Sequence, residues 1–316
     1  MFPRFFRKAA KQPGWMALAF TADGLCMAHT QLRKGEKPLV TVCGVVDIQG
    51  GNVKALEKAG REMHLDRYYC SSLLAAHEYQ MVVVESPNVP PAELKIAMRW
   101  RVKDMLDFHV DDATIDVLDI PPDPNAASRA HSMYVVAARN TSIERRVVLF
   151  NTGKVPLEVI DIPEMAQRNI ASHLEEEGRG VGLISFSEDG GLLTVTHHGE
   201  LYLARHLDIT WEQIAHAGNE ERQELFDRIA LEAQRSLDNL ERQFPFIRVS
   251  RLWVAAMPEA EGLKACFAAN LDVPVSLLDL NEIFDFSRVP AAGALQNQVR
   301  FFQVLGASLR HEDRVP

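Results

Sequence analysis

Both halves of this chain contain a similar pair of short apolar segments joined by a tight turn. Residues 17–30 read ALAFTADGLCMAHT and residues 183–196 read LISFSEDGGLLTVT. Each pattern predicts a strand, an Asp-Gly turn and a second strand. Three residue types recur at one constant offset: Phe20 and Phe186, Asp23 and Asp189, and Gly24 and Gly190. The repetition predicts two lobes built on one duplicated plan.

Strand patterns alternate with helix patterns along the rest of the chain. An uninterrupted run of β-branched residues within 81–85 predicts a buried strand, and the pair Pro90-Pro91 is well placed to begin a helix. A stripe of apolar residues predicts a long helix over 220–244. The Glu- and Gly-containing run at 175–180 is typical of a hinge. Meanders followed by helices, twice over, indicate α/β or α+β lobes around mixed sheets.

The charge of the chain argues against a nucleic-acid partner. The formal net charge is −9 and the sequence pI is near 5.7, whereas phosphate binding needs a clustered positive field. The first eleven residues, MFPRFFRKAAK, are basic and contain no acid. Two interpretations stay open for them: a surface that lies on an anionic membrane, or a basic terminus ahead of the first strand. The segment is too short and too charged to span a bilayer.

No pattern in the sequence predicts a metal site or a catalytic centre of a familiar class. The cysteines are scattered and lack metal-ligand spacing, which is typical of reduced thiols in a cytoplasmic protein: Cys26, Cys43, Cys70 and Cys266. His197 and His198 are adjacent on a predicted strand, so their side chains face opposite ways and do not readily share one ion. The sequence also lacks a Walker A motif, a GxGxxG motif and a serine nucleophile elbow.

Two longer segments resemble one known family. The features of residues 89–120, VPPAELKIAMRWRVKDMLDFHVDDATIDVLDI, that carry the resemblance are Pro91, Glu93, Arg99, Trp100, Phe108, Asp111 and Asp112. This segment resembles the PilM/MshI family of type IV pilus biogenesis proteins, and the pair Lys103-Asp104 with the Phe-His-Val-Asp-Asp run is nearer to MshI, of the mannose-sensitive haemagglutinin (MSHA) pilus. The resemblance continues through residues 135–171 and, less closely, the VLGASLR segment near the C-terminus, so that it covers nearly the whole chain.

The resemblance implies an α/β fold of the actin-like type, in which two RNase H-like lobes enclose a cleft and a small subdomain is inserted in the first lobe. The expected organisation is a basic segment at 1–12, a first lobe formed by 13–80 and 157–177, an insert at 81–156 and a second lobe at 178–316. PilM-type proteins bind ATP between the lobes. The two repeated hairpins are then expected to be the phosphate loops.

The residues at the implied nucleotide positions do not have the types that the family uses there. The carboxylate and glycine of the first hairpin are replaced by Ala19 and Thr21, those of the second by Ser185 and Ser187, and the Gly-Gly of the adenosine segment by Ala255 and Ala256. A shifted alignment makes phosphate contacts of Asp23, Gly24, Asp189 and Gly190; the alternative is that these form ordinary turns. We therefore expect no catalytic residue and no cofactor, with binding of ATP and magnesium disfavoured.

The expected function is a non-catalytic scaffold at the cytoplasmic face of the inner membrane. The implied partner is a membrane-anchored assembly protein, PilN-like or MshJ-like, whose N-terminal tail is held in a groove at the first lobe and its insert. The residues assigned to that surface are Arg99, Trp100, Asp104 and Phe108. Two alternatives stay open: an active actin-like ATPase of the pilus machinery, and the cytoplasmic domain of a GspL-type secretion protein. GspL proteins carry a downstream transmembrane helix, and no such segment follows Leu309 in the sequence.

Overall fold

The computed structural model describes residues 11–48, 50–123 and 132–311. Most of the basic N-terminal segment therefore lies outside the described residues. In chain order the strands are β1 (Trp15–Thr21), β2 (Gly24–Gln31), β3 (Leu39–Val46), β4 (Tyr69–Leu73), β5 (Tyr79–Glu85), β6 (Ala113–Asp119), β7 (Ser132–Arg139), β8 (Leu157–Asp161), β9 (Gly180–Ser187), β10 (Gly190–His197), β11 (Glu200–Leu207), β12 (Val249–Val254) and β13 (Val275–Leu277).

The helices cover the outer faces of the sheets and the cleft between them. In chain order they are α1 (Asn52–Glu62), α2 (Pro91–Val102), α3 (Asn140–Thr152), α4 (Pro163–Ala171), α5 (Trp211–His216), α6 (Asn219–Gln243), α7 (Ala260–Asn270), α8 (Pro290–Gly293) and α9 (Leu295–Ser308). The long helix predicted over 220–244 is confirmed as α6, and the strand predicted over 81–85 is confirmed within β5. None of the helices in the described ranges is long and apolar enough to cross a membrane.

Two five-stranded sheets have the same topology, which confirms the duplicated plan. Their strand orders are β3-β2-β1-β4-β8 and β11-β10-β9-β12-β13, and in each the first three strands in chain order are antiparallel while the last two run parallel to the first. The predicted hairpins are β1–β2 and β9–β10, with Thr21 opposite Gly24 and Ser187 opposite Gly190. Both of these turns therefore lie at the same end of equivalent strands.

The same glycine conformation closes both hairpins. Gly24 has φ +136° and Gly190 has φ +123°, values that side chains beyond hydrogen rarely allow. A Cβ at Gly24 would lie 2.6 Å from the Val46 carbonyl oxygen, and one at Gly190 would lie 2.5 Å from that of Leu207. Each glycine thus permits close approach of the third strand of its sheet, which accounts for the repeat without a ligand.

A third sheet, ordered β5-β7-β6, forms the insert together with α2. One face packs under α2 through Met98, Val102 and Val135. Because side chains alternate along a strand, Tyr134 lies on the opposite face, where it and Ile120 join the hydrophobic core of the second lobe. The insert therefore contacts both lobes.

Two helices pack on sheets that a partition by chain order does not assign to them. Helix α9, which falls in the predicted second lobe at 178–316, packs on β1 and β2 of the first sheet, and the hydroxyl oxygens of Thr30 and Ser308 lie 2.5 Å apart. Helix α3 falls in the predicted insert at 81–156, but its Phe150 is buried in the first-lobe core with Leu18. Chain order cannot reveal these placements, because an amphipathic helix pattern does not specify which sheet its apolar face covers.

Candidate functional site

A cleft of about 610 Å³ separates the two hairpin turns, with α9 along one side. Six of the predicted nucleotide positions line it: Ala19, Thr21, Asp23, Ser185, Ser187 and Asp189. Gly190 lines a small adjoining pocket. Gly24, Ala255 and Ala256 are absent from both linings, and the neighbouring Met257 and Pro258 line the cleft in place of the two alanines. The fold therefore brings most of the implied nucleotide site together.

The side chains of this cleft are engaged within the protein. Thr21 Oγ1 donates to the Gly24 carbonyl oxygen at 3.1 Å, and Ser187 Oγ donates to that of Gly190 at 3.2 Å, so each hydroxyl stabilises its own turn. Ser185 Oγ donates to Gln167 Oε1 at 2.6 Å. Ala19 has no polar side-chain atom with which to orient a hydrated cation.

Carboxylates bridge the cleft at the positions where a phosphate-binding loop would offer free backbone N–H groups. The Ala22 N–H of the first hairpin donates to Glu188 Oε2 of the second at 2.8 Å. On the same hairpin, Asp189 Oδ2 accepts from the Ala76 N–H at 3.3 Å. Asp23 accepts from Arg300 Nε of α9 at 2.7 Å. The two hairpins are thus joined by the protein's own acidic side chains.

The electrostatics of the cleft disfavour a polyphosphate. Burial raises the pKa of the Glu188 carboxyl, the hydrogen bond from Ala22 N–H lowers it, and the nearby charges of Asp189 and Asp23 raise it. These carboxylates would repel a triphosphate, and the Arg300 guanidinium that lines the cleft is already paired with Asp23. Among the described residues, no group of three or more His, Cys, Asp or Glu side chains is arranged to hold a metal ion. The residues present therefore do not fit magnesium-bound ATP.

Several residues of the cleft were not assigned to a site by the sequence analysis. Glu188 and Arg300 form the contacts across the cleft, and Trp211 adds apolar surface to its wall. Gln167 of α4 lies behind the second hairpin and is buried. The Glu188-Asp189 pair in the second turn was the available signal for this acidic rim, whereas the placement of Arg300 depends on where α9 packs.

A second cavity, of about 340 Å³, lies between the insert and the first lobe and is called here the β6–β8 groove. Strands β6 and β8 are the facing edge strands of their sheets, and α3 closes one side. Its lining is mostly apolar, with acidic groups on the two strands: Leu74, Thr114, Asp116, Val136, Ala138, Ile143, Val147, Leu157, Glu158, Val159, Ile160 and Ile162. Edge strands have unpaired backbone groups, and an extended peptide can satisfy them by adding as a strand.

The residues predicted to contact the partner lie on α2 and the turn after it, outside the lining of the β6–β8 groove. Arg99 donates to the carbonyl oxygens of Val110 at 2.6 Å and Ala113 at 2.9 Å, and therefore holds the insert together. Phe108 packs against the insert core below the Arg139 guanidinium. Trp100 is 70% exposed, which excludes a core role, and Asp104 is also exposed. Their role in partner binding stays a prediction.

Comparisons with known proteins support the fold. No family model and no curated protein matches the chain. Among solved structures, the PilM-PilN type IV pilus biogenesis complex matches at 16% identity and a TM-score of 0.75, over 94% of this chain and 98% of the other.

Two more distant structures also align. The cytoplasmic domain of EpsL, an inner-membrane component of the Vibrio cholerae type II secretion system, matches at 14% identity and a TM-score of 0.47, over 91% of this chain and 93% of the other. A Bacteroides thetaiotaomicron protein with an actin-like ATPase fold and unknown function matches at 11% identity and a TM-score of 0.47, over 94% and 99%. The duplicated five-stranded sheets and the pilus protein match together establish an actin-like α/β fold with two lobes.

Proposed function

We propose that this chain is a non-catalytic actin-like scaffold of a type IV pilus machinery, of the MSHA type. It works at the cytoplasmic face of the inner membrane and binds the N-terminal tail of a PilN-like or MshJ-like membrane protein. Support for the pilus assignment comes from the PilM-PilN match and from the resemblance of residues 89–120 to the PilM/MshI family.

The observation that carries the non-catalytic part of the proposal is the hydrogen bond from the Ala22 N–H to Glu188. In a phosphate-binding hairpin this N–H would be available to the ligand, because backbone donors are what such a loop provides. Here an anionic side chain occupies the donor, and the carboxylate needed to position magnesium is replaced by Ala19. A scaffold needs neither group, since its two lobes are joined without a nucleotide.

We assign the tail to the β6–β8 groove. The groove lies between the first lobe and the insert, where the tail is expected, and its apolar floor suits the alternate side chains of an extended peptide. The exposed face of α2 around Trp100 is the second candidate surface. It lacks the unpaired strand edges that provide backbone hydrogen bonds.

Adjacent valines of α3 test the groove assignment. Val147 lines the groove and is 41% exposed, whereas Val148 is 62% exposed and faces a shallow depression between α1 and α3. We expect Val147→Asp to weaken tail binding at least tenfold, because it puts a charge into an apolar contact surface, and Val148→Asp to leave binding unchanged. The measurement is fluorescence anisotropy of a labelled peptide that carries the cytoplasmic N-terminal residues of the PilN-like protein from the same organism.

The outcome distinguishes the two candidate surfaces. Equal binding by both Asp variants would contradict the groove assignment, and loss of binding by Trp100→Ala in the same assay would transfer the tail to α2. Both valines are partly exposed on the same helix, so circular dichroism of the two variants should match that of the unmodified protein.

A further inference from the structure

A buried carboxylate connects three parts of the molecule at the junction of the lobes. Glu164, in the first turn of α4, has no exposed surface. Its Oε2 accepts a hydrogen bond from Tyr79 Oη, at the start of insert strand β5, at 2.6 Å. Its Oε1 lies 2.7 Å from Nε2 of His206, on β11 of the second lobe. The proposed scaffold function uses none of these three side chains.

The tyrosine end of this cluster acts as a fixed donor. Burial and the charge of Glu164 raise the pKa of Tyr79 well above its ordinary value, so the phenol keeps its proton and donates to the carboxylate. The histidine end is different, because the His206 side chain is partly exposed and exchanges protons with solvent. An imidazole is the side chain whose charge ordinarily changes near neutral pH. The charge that faces Glu164 is therefore variable at this end alone.

The surroundings of His206 are acidic. Besides Glu164, the carboxylates of Asp208, just after β11, and Asp189, in the second hairpin, act on it. Asp189 and His206 line the same small pocket, and the exposed His77 of the first lobe lies 3.9 Å from Asp189 on its other side. A positive imidazolium is thus surrounded by three carboxylates from α4, the β11 end and the β9–β10 turn.

We infer that His206 is a proton-dependent clamp, which tightens the junction between the insert, α4 and the second lobe when its imidazole is protonated. The imidazolium is then the counter-ion of a carboxylate that has no access to water. When the proton leaves, Glu164 keeps only neutral donors, and a buried charge without a counter-ion is costly. The junction consequently loosens as the pH rises.

The direction of the pH dependence follows from the cluster. The hydrogen bond to Glu164 raises the pKa of His206, burial lowers it, and the charges of Glu164, Asp208 and Asp189 raise it, with a net increase. The stabilisation is therefore fully present below the unfolded value of about 6.5 and is lost as the pH rises through the higher folded value. The clamp is closed in mildly acidic conditions and open in alkaline ones.

The same cluster adjoins the wall of the β6–β8 groove. Tyr79 packs in one apolar cluster with Leu74, Ala138 and Ile162, and these three residues also line the groove. Movement of Tyr79 away from Glu164 would therefore change the packing of the groove wall. Only this consequence for tail binding rests on the proposed function; the clamp itself does not.

Hydrogen exchange of the full chain tests the clamp without any ligand. Exchange would be followed in peptides from β5 and β11 at about pH 6 and about pH 8.5, each corrected for the intrinsic pH dependence of exchange. We expect the unmodified protein to lose protection in both strands at the higher pH. His206→Gln keeps an N–H donor but cannot become charged, so its protection should be equal at the two pH values. His216→Gln, at an exposed histidine of the same lobe, should behave as the unmodified protein.

Proton NMR of the His206 ring gives a second measurement on the unmodified protein. The titration midpoint should lie above that of an unperturbed histidine, and Tyr79→Phe should leave His206 titrating above that reference, because the carboxylate remains. A midpoint at or below the reference would overturn the inference, as would a protection difference that persists in His206→Gln. Neither measurement involves the partner's tail, so failure of the clamp and failure of the proposed function are distinguishable.

Discussion

Replacing Gly306 by alanine is expected to destabilise the protein by about 3 kcal/mol. Gly306 lies in α9 where this helix crosses α4, and a Cβ there would lie 2.3 Å from the Ala166 carbonyl oxygen and 2.8 Å from its carbon. The obstructing atoms are backbone, so the two helices must separate. Separation would also strain the hydrogen bond from Asn169 Nδ2 to the Gly306 carbonyl oxygen, which is 3.0 Å long.

The effect should appear in thermal unfolding, with Gly60→Ala as the matched control. For a chain of 316 residues, 3 kcal/mol corresponds to a fall of about 5 °C in the unfolding midpoint. Gly60 is also helical, but a Cβ there would be 3.4 Å from the Val155 side chain, an ordinary contact. Alanine at this position should leave the midpoint unchanged or raise it, because alanine favours helix over glycine. Equal midpoints for the two variants would mean that α4 and α9 do not cross as described.

Replacing Gln167 by leucine is expected to cost about 4 kcal/mol, although the two side chains are similar in size. Gln167 is 1% exposed and joins α4 to the second sheet. Its amide nitrogen donates to the carbonyl oxygens of Leu183 at 2.7 Å and Leu192 at 3.0 Å, and to Thr194 Oγ1 at 3.0 Å. Its amide oxygen accepts from Ser185 Oγ at 2.6 Å. Leucine would leave these groups buried without a partner.

Urea unfolding would measure this loss, and Gln296→Leu is the control. Gln296 lies exposed on α9, so its replacement should change the free energy of unfolding by no more than about 0.5 kcal/mol. A small effect at Gln167 would show that its amide has another role. In particular, it would reopen the possibility that this side chain serves a ligand in the cleft rather than the packing of α4 on the sheet.

The duplicated plan was predictable because its signals are local. An Asp-Gly turn between two apolar strands needs only a few neighbouring residues, and Gly24 and Gly190 adopt the positive φ values that such turns require. The altered phosphate positions were equally local, since Ala19 and Thr21 follow directly from the register of the first strand. The fold class and the six predicted positions that meet in the cleft therefore followed from sequence patterns.

The remainder depends on contacts between residues distant in the chain. The Glu188 carboxylate meets the Ala22 N–H across 166 positions, and Arg300 meets Asp23 across 277. No periodicity in the sequence indicates that α9 returns to the first sheet, or that β6 and β8 face each other across a groove. For the same reason the interaction surface was expected on α2, where the exposed Trp100 is conspicuous in sequence, while the groove combines four separate segments.

The most direct test of a nucleotide-independent scaffold is thermal unfolding of the full chain with and without millimolar magnesium-ATP, with magnesium chloride alone as the reference. A ligand at a thousandfold excess over its dissociation constant stabilises a protein by about 4 kcal/mol, which here corresponds to a rise of roughly 6 °C. Because Glu188 occupies the Ala22 donor and Ala19 provides no carboxylate, we predict no change in the midpoint. A saturable rise that depends on ATP would contradict the account and identify the cleft as a working nucleotide site.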